Sequence, residues 1–221
     1  MRFSLAAEVA AVKKSEVFKE IAGAMKAVGF RRRASNYEYV LDLGPGFEGW
    51  CSFADHAKRG SSNLLVATFA GVRCSAVEER IARWCGDVVP GWDGRSYVAT
   101  VSANVGYLRP EAQWLEHPVD LTGDEPAESA QRNMEDVTGI ALEFLRRTAS
   151  YQGVTHALIT VKGQMPDRQI ERLPLTYALQ GEYEKAQHHL SYMRKLVDDE
   201  SYLAPRYLRY LAGFEEEFLS V

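Results

Sequence analysis

The sequence of 221 residues is 46% hydrophobic and 25% charged, which is enough apolar content for a buried core, so we expect the chain to fold unaided. Its formal net charge of −4 is unevenly divided, because residues 1–110 carry 15 Lys and Arg against 11 Asp and Glu, whereas residues 111–221 carry 11 against 19. An acidic second half argues against nucleic acid as its ligand and suits a basic partner.

The N-terminal segment carries no targeting pattern. Glu8 interrupts its apolar stretch, so we predict no signal peptide. No run approaches the roughly 20 apolar residues of a membrane-spanning helix, so we expect no membrane partner. Three cysteines without a C-x-x-C pair, Cys51, Cys74 and Cys85, are typical of reduced, buried thiols. We therefore expect a soluble cytoplasmic protein.

The first predicted element is a helix that begins near Ser15 and ends at Gly29. Ser15 is a suitable N-cap, and Gly29 is a suitable C-terminal glycine. Arg31, Arg32 and Arg33 follow and are predicted to occupy a basic turn. The apolar residues of this helix recur at three- and four-residue intervals and predict one buried face: Val17, Phe18, Ile21, Met25 and Val28.

Alternating apolar and polar residues after this turn predict an antiparallel sheet of about four strands. The predicted strands cover residues 36–42, 50–55, 64–72 and 97–108. A short helix over residues 74–86, capped by Ser75, separates the last two strands. Residues 109–124 are expected to be extended, with a short strand at their end.

The second half of the chain is predicted to be helical. Helical periodicity covers residues 125–150, 170–180, 182–197 and 204–219, and the second and third of these are predicted to be antiparallel helices joined at Gly181. Residues 151–162 fit either a strand or a helix, and we favour a helix. We therefore predict an α+β fold with a sheet domain over residues 1–124 and a helical subdomain over residues 125–221 packed on it.

No motif with a known chemistry fits its predicted context. The segment Gly44–Gly49 matches G-x-G-x-x-G, but a strand pattern follows where a dinucleotide site requires a helix. His188 and His189 are adjacent on a helix, about 100° apart around its axis, and so cannot bind one metal together. We predict no catalytic residue, no cofactor, no metal site and no enzymatic activity. An unfamiliar active site is the alternative.

Two stretches resemble known families. The first, Leu173–Met193, is similar to one tetratricopeptide unit, in which small and aromatic residues let two helices pack closely. The second begins with a helix ending in K-A-V-G-F, followed by three arginines, the strand N-Y-E-Y-V-L and, later, G-Y-L-R-P. This order resembles the DUF4304 type of bacterial domain of unknown function, some of whose members are suspected immunity proteins. The second resemblance implies a binding protein rather than an enzyme.

Seven residues are candidates for partner binding. Arg31, Arg32 and Arg33 could bind acidic groups, although cations at a helix C-terminus are also explained by the helix dipole, which we favour. Trp92 lies in a glycine-rich loop, where an aromatic side chain can anchor a partner or turn into the core. The acidic candidates are Asp198, Asp199 and Glu200.

The predicted function follows from the second resemblance and from the acidic second half. We expect a protein that binds and neutralises a cognate bacterial toxin, using the acidic helical half if that toxin is basic. The alternative is an adaptor whose helical hairpin presents a groove to a peptide or protein. The sequence does not indicate an oligomeric state.

Overall fold

The computed structural model describes residues 2–33, 37–57, 63–86, 99–120, 126–164, 166–199 and 202–220. Within these residues the strands are β1 (Arg31–Arg32), β2 (Glu38–Asp42), β3 (Phe47–Ala57), β4 (Asn63–Cys74), β5 (Val101–Asn104) and β6 (His117–Asp120). The helices are α1 (Arg2–Ala27), α2 (Ser75–Cys85), α3 (Pro126–Asp136), α4 (Leu142–Thr148), α5 (Tyr151–Thr160), α6 (Pro166–Ala178), α7 (Tyr183–Asp198) and α8 (Ala204–Phe218).

The protein has an α+β fold, as predicted, with its helices mainly in the C-terminal part. The antiparallel sheet has the strand order β1-β2-β3-β4-β5, and β6 pairs with β4. Residues 151–162 contain helix α5, so the choice of a helix there is confirmed. The short strand expected before residue 124 is β6.

Three local predictions were wrong. Ser15 lies inside α1, which begins at Arg2, so it is not the N-cap. Ser75 is the first residue of α2 rather than its cap, and its backbone N–H donates to the carbonyl of Gly46. Arg31 and Arg32 do not occupy a turn, because their backbone is extended and pairs with Val40 and Tyr39 of β2.

A fourth correction concerns the strand predicted at residues 97–108. Strand β5 covers only Val101–Asn104, and Val105–Leu108 form a 3-10 turn. Residues 97 and 98 lie outside the described residues. The apolar alternation that predicted the strand is real, but the side chain of Asn104 ends the strand by accepting a hydrogen bond from the backbone of Gly106.

Gly29, predicted to end a helix, and Gly181, predicted to join two helices, show the same hydrogen-bond pattern. Gly29 and Gly181 have positive φ angles of 93° and 78°. The backbone N–H of Gly29 donates to Lys26, and that of Phe30 donates to Met25. In the same way, the backbone N–H of Gly181 donates to Ala178, and that of Glu182 donates to Tyr177. These are Schellman motifs, in which glycine adopts the left-handed conformation without a steric penalty.

The chain forms two compact units, each assembled from three segments. Unit 1 contains Met1–Leu43, Glu48–Gly71 and Ser102–Arg147. Unit 2 contains Gly44–Phe47, Val72–Val101 and Thr148–Val221. The predicted domain division at residues 124 and 125 stays a prediction.

The core of unit 1 lies around the predicted face of α1. Val17, Phe18, Ile21 and Met25 are all at most 3% exposed. Fully burying an aliphatic or aromatic side chain of this kind contributes about 1.5–3 kcal/mol relative to leaving it in water. One buried polar contact accompanies this core, since the Thr68 hydroxyl donates to Asn133 Oδ1 over 3.0 Å.

Unit 2 has an aromatic core between α2 and α8. Tyr210 and Phe214 are fully buried, and the Trp84 ring packs edge-on against both. Gly213 makes this approach possible, because a Cβ atom there would lie 2.3 Å from the Trp84 ring. The close contact between these helices therefore depends on a glycine opposite the indole.

Two bidentate ion pairs join α6 to its neighbours within unit 2. Arg172 donates to both carboxylate oxygens of Glu78 on α2, at 2.8 and 2.7 Å. Arg206 on α8 pairs in the same way with Glu171. The Glu78 and Arg172 side chains are only 5% and 6% exposed, so water screens this pair little.

The three cysteines are free and buried, as predicted. Burial raises the pKa values of the Cys51 and Cys74 thiols, which keeps them in the unreactive neutral form at physiological pH. We therefore predict that a thiol reagent labels the native protein far more slowly than the urea-unfolded chain. Mass spectrometry of labelled peptides measures this rate, and rapid native labelling of Cys51 would contradict the buried position.

Candidate functional site

The three arginines after α1 contact groups of this chain. Arg31 donates to a carboxylate oxygen of Glu48 over 2.7 Å, and the Arg32 guanidinium lies 5.6 Å from the centre of the Tyr37 ring. Arg33 lies 3.8 Å from Glu38. The Arg31 side chain is still 70% exposed, so its pairing contributes little to stability. Their role in partner binding stays a prediction.

The acidic candidates lie at the C-terminal end of α7. Asp198 is the last helical residue and Asp199 is the C-cap, and both side chains are exposed. Trp92 and Glu200 lie outside the described residues. A helix C-terminus carries a partial negative charge, so two carboxylates at this end are electrostatically unfavourable for the helix. Their position does not help α7 to fold.

An exposed aromatic residue shares a face of α7 with one of these carboxylates. Tyr192 is 54% exposed and lies seven residues before Asp199, a spacing that places both on the same side of a helix. Tyrosine is enriched among the residues that dominate binding energy at protein interfaces. We call Tyr192, Asp198 and Asp199 the α7 surface.

The acidic run later in the chain is different, because two of its carboxylates are paired. Arg194 donates to Glu215 over 2.7 Å. Glu217 accepts from Arg80 and lies 3.7 Å from Arg83. These ion pairs balance part of the negative charge that the sequence concentrates at residues 215–217. The α7 surface is therefore the more favourable place for a cationic partner.

A cluster that sequence reasoning missed lies in unit 1 around a buried carboxylate. Asp136 is 3% exposed at the end of α3, and each of its oxygens has a partner. Arg109 donates to Oδ1 over 2.6 Å, and His117 Nε2 lies 2.7 Å from Oδ2. Because both oxygens are engaged, this carboxylate holds the two side chains in place.

The loop that carries Arg109 is shaped by Asn104 and Gly106. The Asn104 side chain accepts from the backbone N–H groups of Gly106 and Leu115 and donates to the carbonyl of Leu115, at 2.8–2.9 Å. A Cβ atom on Gly106 would lie 2.1 Å from the carbonyl oxygen of Gln113, so only glycine fits there. These contacts hold the two ends of the loop together.

A cavity of about 580 Å³, which we call the α4 cleft, opens beside this loop in unit 1. One side is formed by residues 108–111. The other side is formed by the segment Val137–Ala141, which is a π-helical turn, and by α4. Such turns are frequent at functional sites. The lining residues are Leu108, Arg109, Pro110, Glu111, Gly139, Ile140, Glu143, Phe144 and Arg147.

The described residues contain neither a metal cluster nor a membrane span. No group of three or more His, Cys, Asp or Glu side chains among them is arranged to hold a metal ion. None of the helices in this part of the chain is long and apolar enough to cross a membrane. His188 and His189 lie on α7, where His189 stacks on Tyr177 instead.

Known proteins offer no guide to this site. No family model, no curated protein and no solved structure matches this chain. Its function must therefore be argued from its own side chains.

Proposed function

We propose that this protein is a non-enzymatic, cytoplasmic binding protein that neutralises a basic bacterial toxin, with the α7 surface as part of the contact. The observation that carries this proposal is the position of Asp198 and Asp199, two exposed carboxylates at the end of a helix where negative charge is unfavourable. A cationic partner would be attracted by these two carboxylates, and its charge would offset their repulsion with the helix C-terminus. The resemblance of the N-terminal half to suspected immunity proteins supports the same function.

Tyr192 adds an apolar contact to this charged surface. Its ring is 54% exposed and costs little to bury, because tyrosine loses few rotamers on binding. An aromatic anchor next to carboxylates fits a partner that presents Lys or Arg beside an apolar side chain. Partner binding at this surface is expected to become weaker as the salt concentration rises.

The proposal predicts opposite effects on stability and binding for the double variant Asp198→Asn/Asp199→Asn. Removing the two carboxylates should raise the free energy of unfolding slightly, by about 0.3 kcal/mol each, because they oppose the helix dipole. The same change should weaken partner binding at least about tenfold. Urea unfolding measures the first effect, and co-purification after co-expression with the adjacent gene's product measures the second.

Glu128→Gln is the control, because Glu128 is an exposed carboxylate in the first turn of another helix, α3, and lies outside both candidate surfaces. It should leave partner binding unchanged and should not raise the free energy of unfolding. If no adjacent gene product becomes harmless or co-purifies, the toxin-binding function is wrong. If binding occurs but is insensitive to the double variant and to Tyr192→Ala, the function stands and the α7 surface is the wrong contact.

A second candidate function is favoured by the turn between α6 and α7. A cavity of about 520 Å³ is lined there by residues 181–185, and Tyr183 is 46% exposed. A groove beside an exposed aromatic side chain supports the alternative of a peptide adaptor. If Tyr183→Ala abolishes capture of the partner while the double variant does not, the adaptor function is favoured.

A further inference from the structure

We propose that the α4 cleft of unit 1 binds a small zwitterionic molecule, one that carries a carboxylate and an ammonium group on a short apolar frame, such as a free amino acid or a dipeptide. The cleft volume of about 580 Å³ falls within the range of about 300–1,000 Å³ that is typical of small-molecule sites. The cleft and the α7 surface have no residue in common, and neither proposal depends on the other.

Arg147 supplies the anion-binding group of the cleft. Its side chain is exposed, and it forms no ion pair within the part of the chain that the structure describes. The second arginine of the cleft, Arg109, is already balanced by Asp136. A guanidinium presents a planar pair of N–H donors that matches a carboxylate, so Arg147 is the group expected to bind the ligand's carboxylate.

The acidic lining of the cleft selects against a purely anionic ligand. Glu111 and Glu143 both line the cavity. Because Arg109 is paired with Asp136, these two carboxylates outnumber the one remaining guanidinium of the lining, that of Arg147. Repulsion from this surplus disfavours a phosphate dianion, whereas a ligand ammonium group gains attraction from Glu111 or Glu143. Charges of both signs around one cavity therefore fit a molecule that carries both.

The apolar part of the lining accommodates the body of such a ligand. Phe144 and Ile140 lie on one side of the cleft, and Leu108 and Pro110 lie on the other. Gly139 leaves space open at the cleft, because a Cβ atom built on it would meet no heavy atom within 4 Å apart from its chain neighbours and the backbone of its own helix. A larger side chain at position 139 would therefore point into unfilled space without a clash.

Calorimetric titration of the full chain tests the ligand class. The probes are L-leucine and L-leucyl-L-leucine, with 4-methylpentanoate as the acid lacking the ammonium group, 3-methylbutylamine as the amine lacking the carboxylate, and inorganic phosphate. At least one zwitterion should bind, and the three other probes should bind at least about tenfold more weakly, since each lacks a charged contact. Absence of zwitterion binding up to about 10 mM, or tighter binding of phosphate, would overturn the proposal.

Two variants test whether the ligand binds in the cleft. Arg147→Ala should weaken zwitterion binding at least about tenfold, whereas Arg146→Ala, a change of the neighbouring exposed arginine that does not line the cleft, should not. Gly139→Leu should block the cavity without lowering the melting temperature. Its control is Gly23→Leu, because Gly23 is a helical glycine of α1 that also has open space around it. Equal affinities for all four variants would place the ligand elsewhere.

Discussion

Replacing Glu78 by alanine is expected to lower the free energy of unfolding by about 3–5 kcal/mol, because it leaves the charge of Arg172 buried without its partner. The pair is bidentate, and both side chains are almost completely buried. A charge in such a place loses its hydration, and only the opposite charge offsets that loss. The substitution removes the attraction between Glu78 and Arg172, whereas the hydration that Arg172 loses on folding is still lost.

A second arginine increases the expected effect. Burial lowers the pKa of Arg168, and the nearby charge of Arg172 lowers it further, whereas Glu78 raises it. Without Glu78, the repulsion between the two guanidinium groups is no longer balanced by that carboxylate. The folded state of the Glu78→Ala variant therefore holds two like charges in a poorly hydrated part of unit 2.

Urea unfolding followed by circular dichroism measures this loss. Glu79→Ala is the matched control, because Glu79 is the exposed neighbour on the same helix and its loss should change stability by no more than about 0.5 kcal/mol. The double variant Glu78→Leu/Arg172→Met removes both charges and should recover most of the stability. Equal unfolding midpoints for Glu78→Ala and Glu79→Ala would show that the pair is not buried in solution.

Local signals in the sequence predicted the elements of the fold well. The spacing of Val17, Ile21 and Met25 predicted the buried face of α1, and these residues are at most 2% exposed. Gly29 predicted a helix end and Gly181 predicted the joint between two helices, because glycine alone adopts the left-handed conformation at no cost. Each of these signals acts over fewer than about ten residues, so periodicity and composition are sufficient to find it.

The candidate sites could not be predicted in the same way, because their contacts join distant parts of the chain. Glu78 and Arg172 are 94 residues apart, and Arg109 and Asp136 are 27 residues apart. In the sequence each is an ordinary charged residue. Only packing brings them together, and the low exposure that makes them important results from the same packing. Sequence reasoning instead selected conspicuous runs of charge, which are usually solvated.

One weak local signal did point to the α4 cleft. Asn104 follows an apolar strand and is followed by Gly106, and an Asn-x-Gly sequence is typical of a turn closed by the asparagine side chain. The alternating pattern of residues 97–108 instead predicted a strand that continues through this point. The alternation of apolar residues was the stronger pattern, and it outweighed the turn chemistry that ends β5.

Replacing Asn104 by alanine is therefore expected to lower both the stability of the protein and the affinity of the α4 cleft for its ligand. The substitution removes the hydrogen-bond partner of three polar groups, the buried N–H of Gly106 and the partly buried N–H and carbonyl of Leu115. Each stranded group costs about 1–3 kcal/mol, so a total loss of about 2–4 kcal/mol is expected after partial rehydration. Zwitterion affinity should fall as well, because this loop carries Arg109 and one wall of the cleft.

Asn104→Asp separates the contributions of these hydrogen bonds. Aspartate keeps both acceptor contacts with the backbone N–H groups but loses the donor to the Leu115 carbonyl and places a carboxylate oxygen against that carbonyl. Its stability should fall between those of the original chain and of Asn104→Ala. Urea unfolding and calorimetric titration with the zwitterion measure the two effects. If Asn104→Ala unfolds at the same urea concentration as the unsubstituted protein, the Asn104 side chain does not hold the loop, and the contacts of Arg109 and His117 with Asp136 become the better explanation for its position.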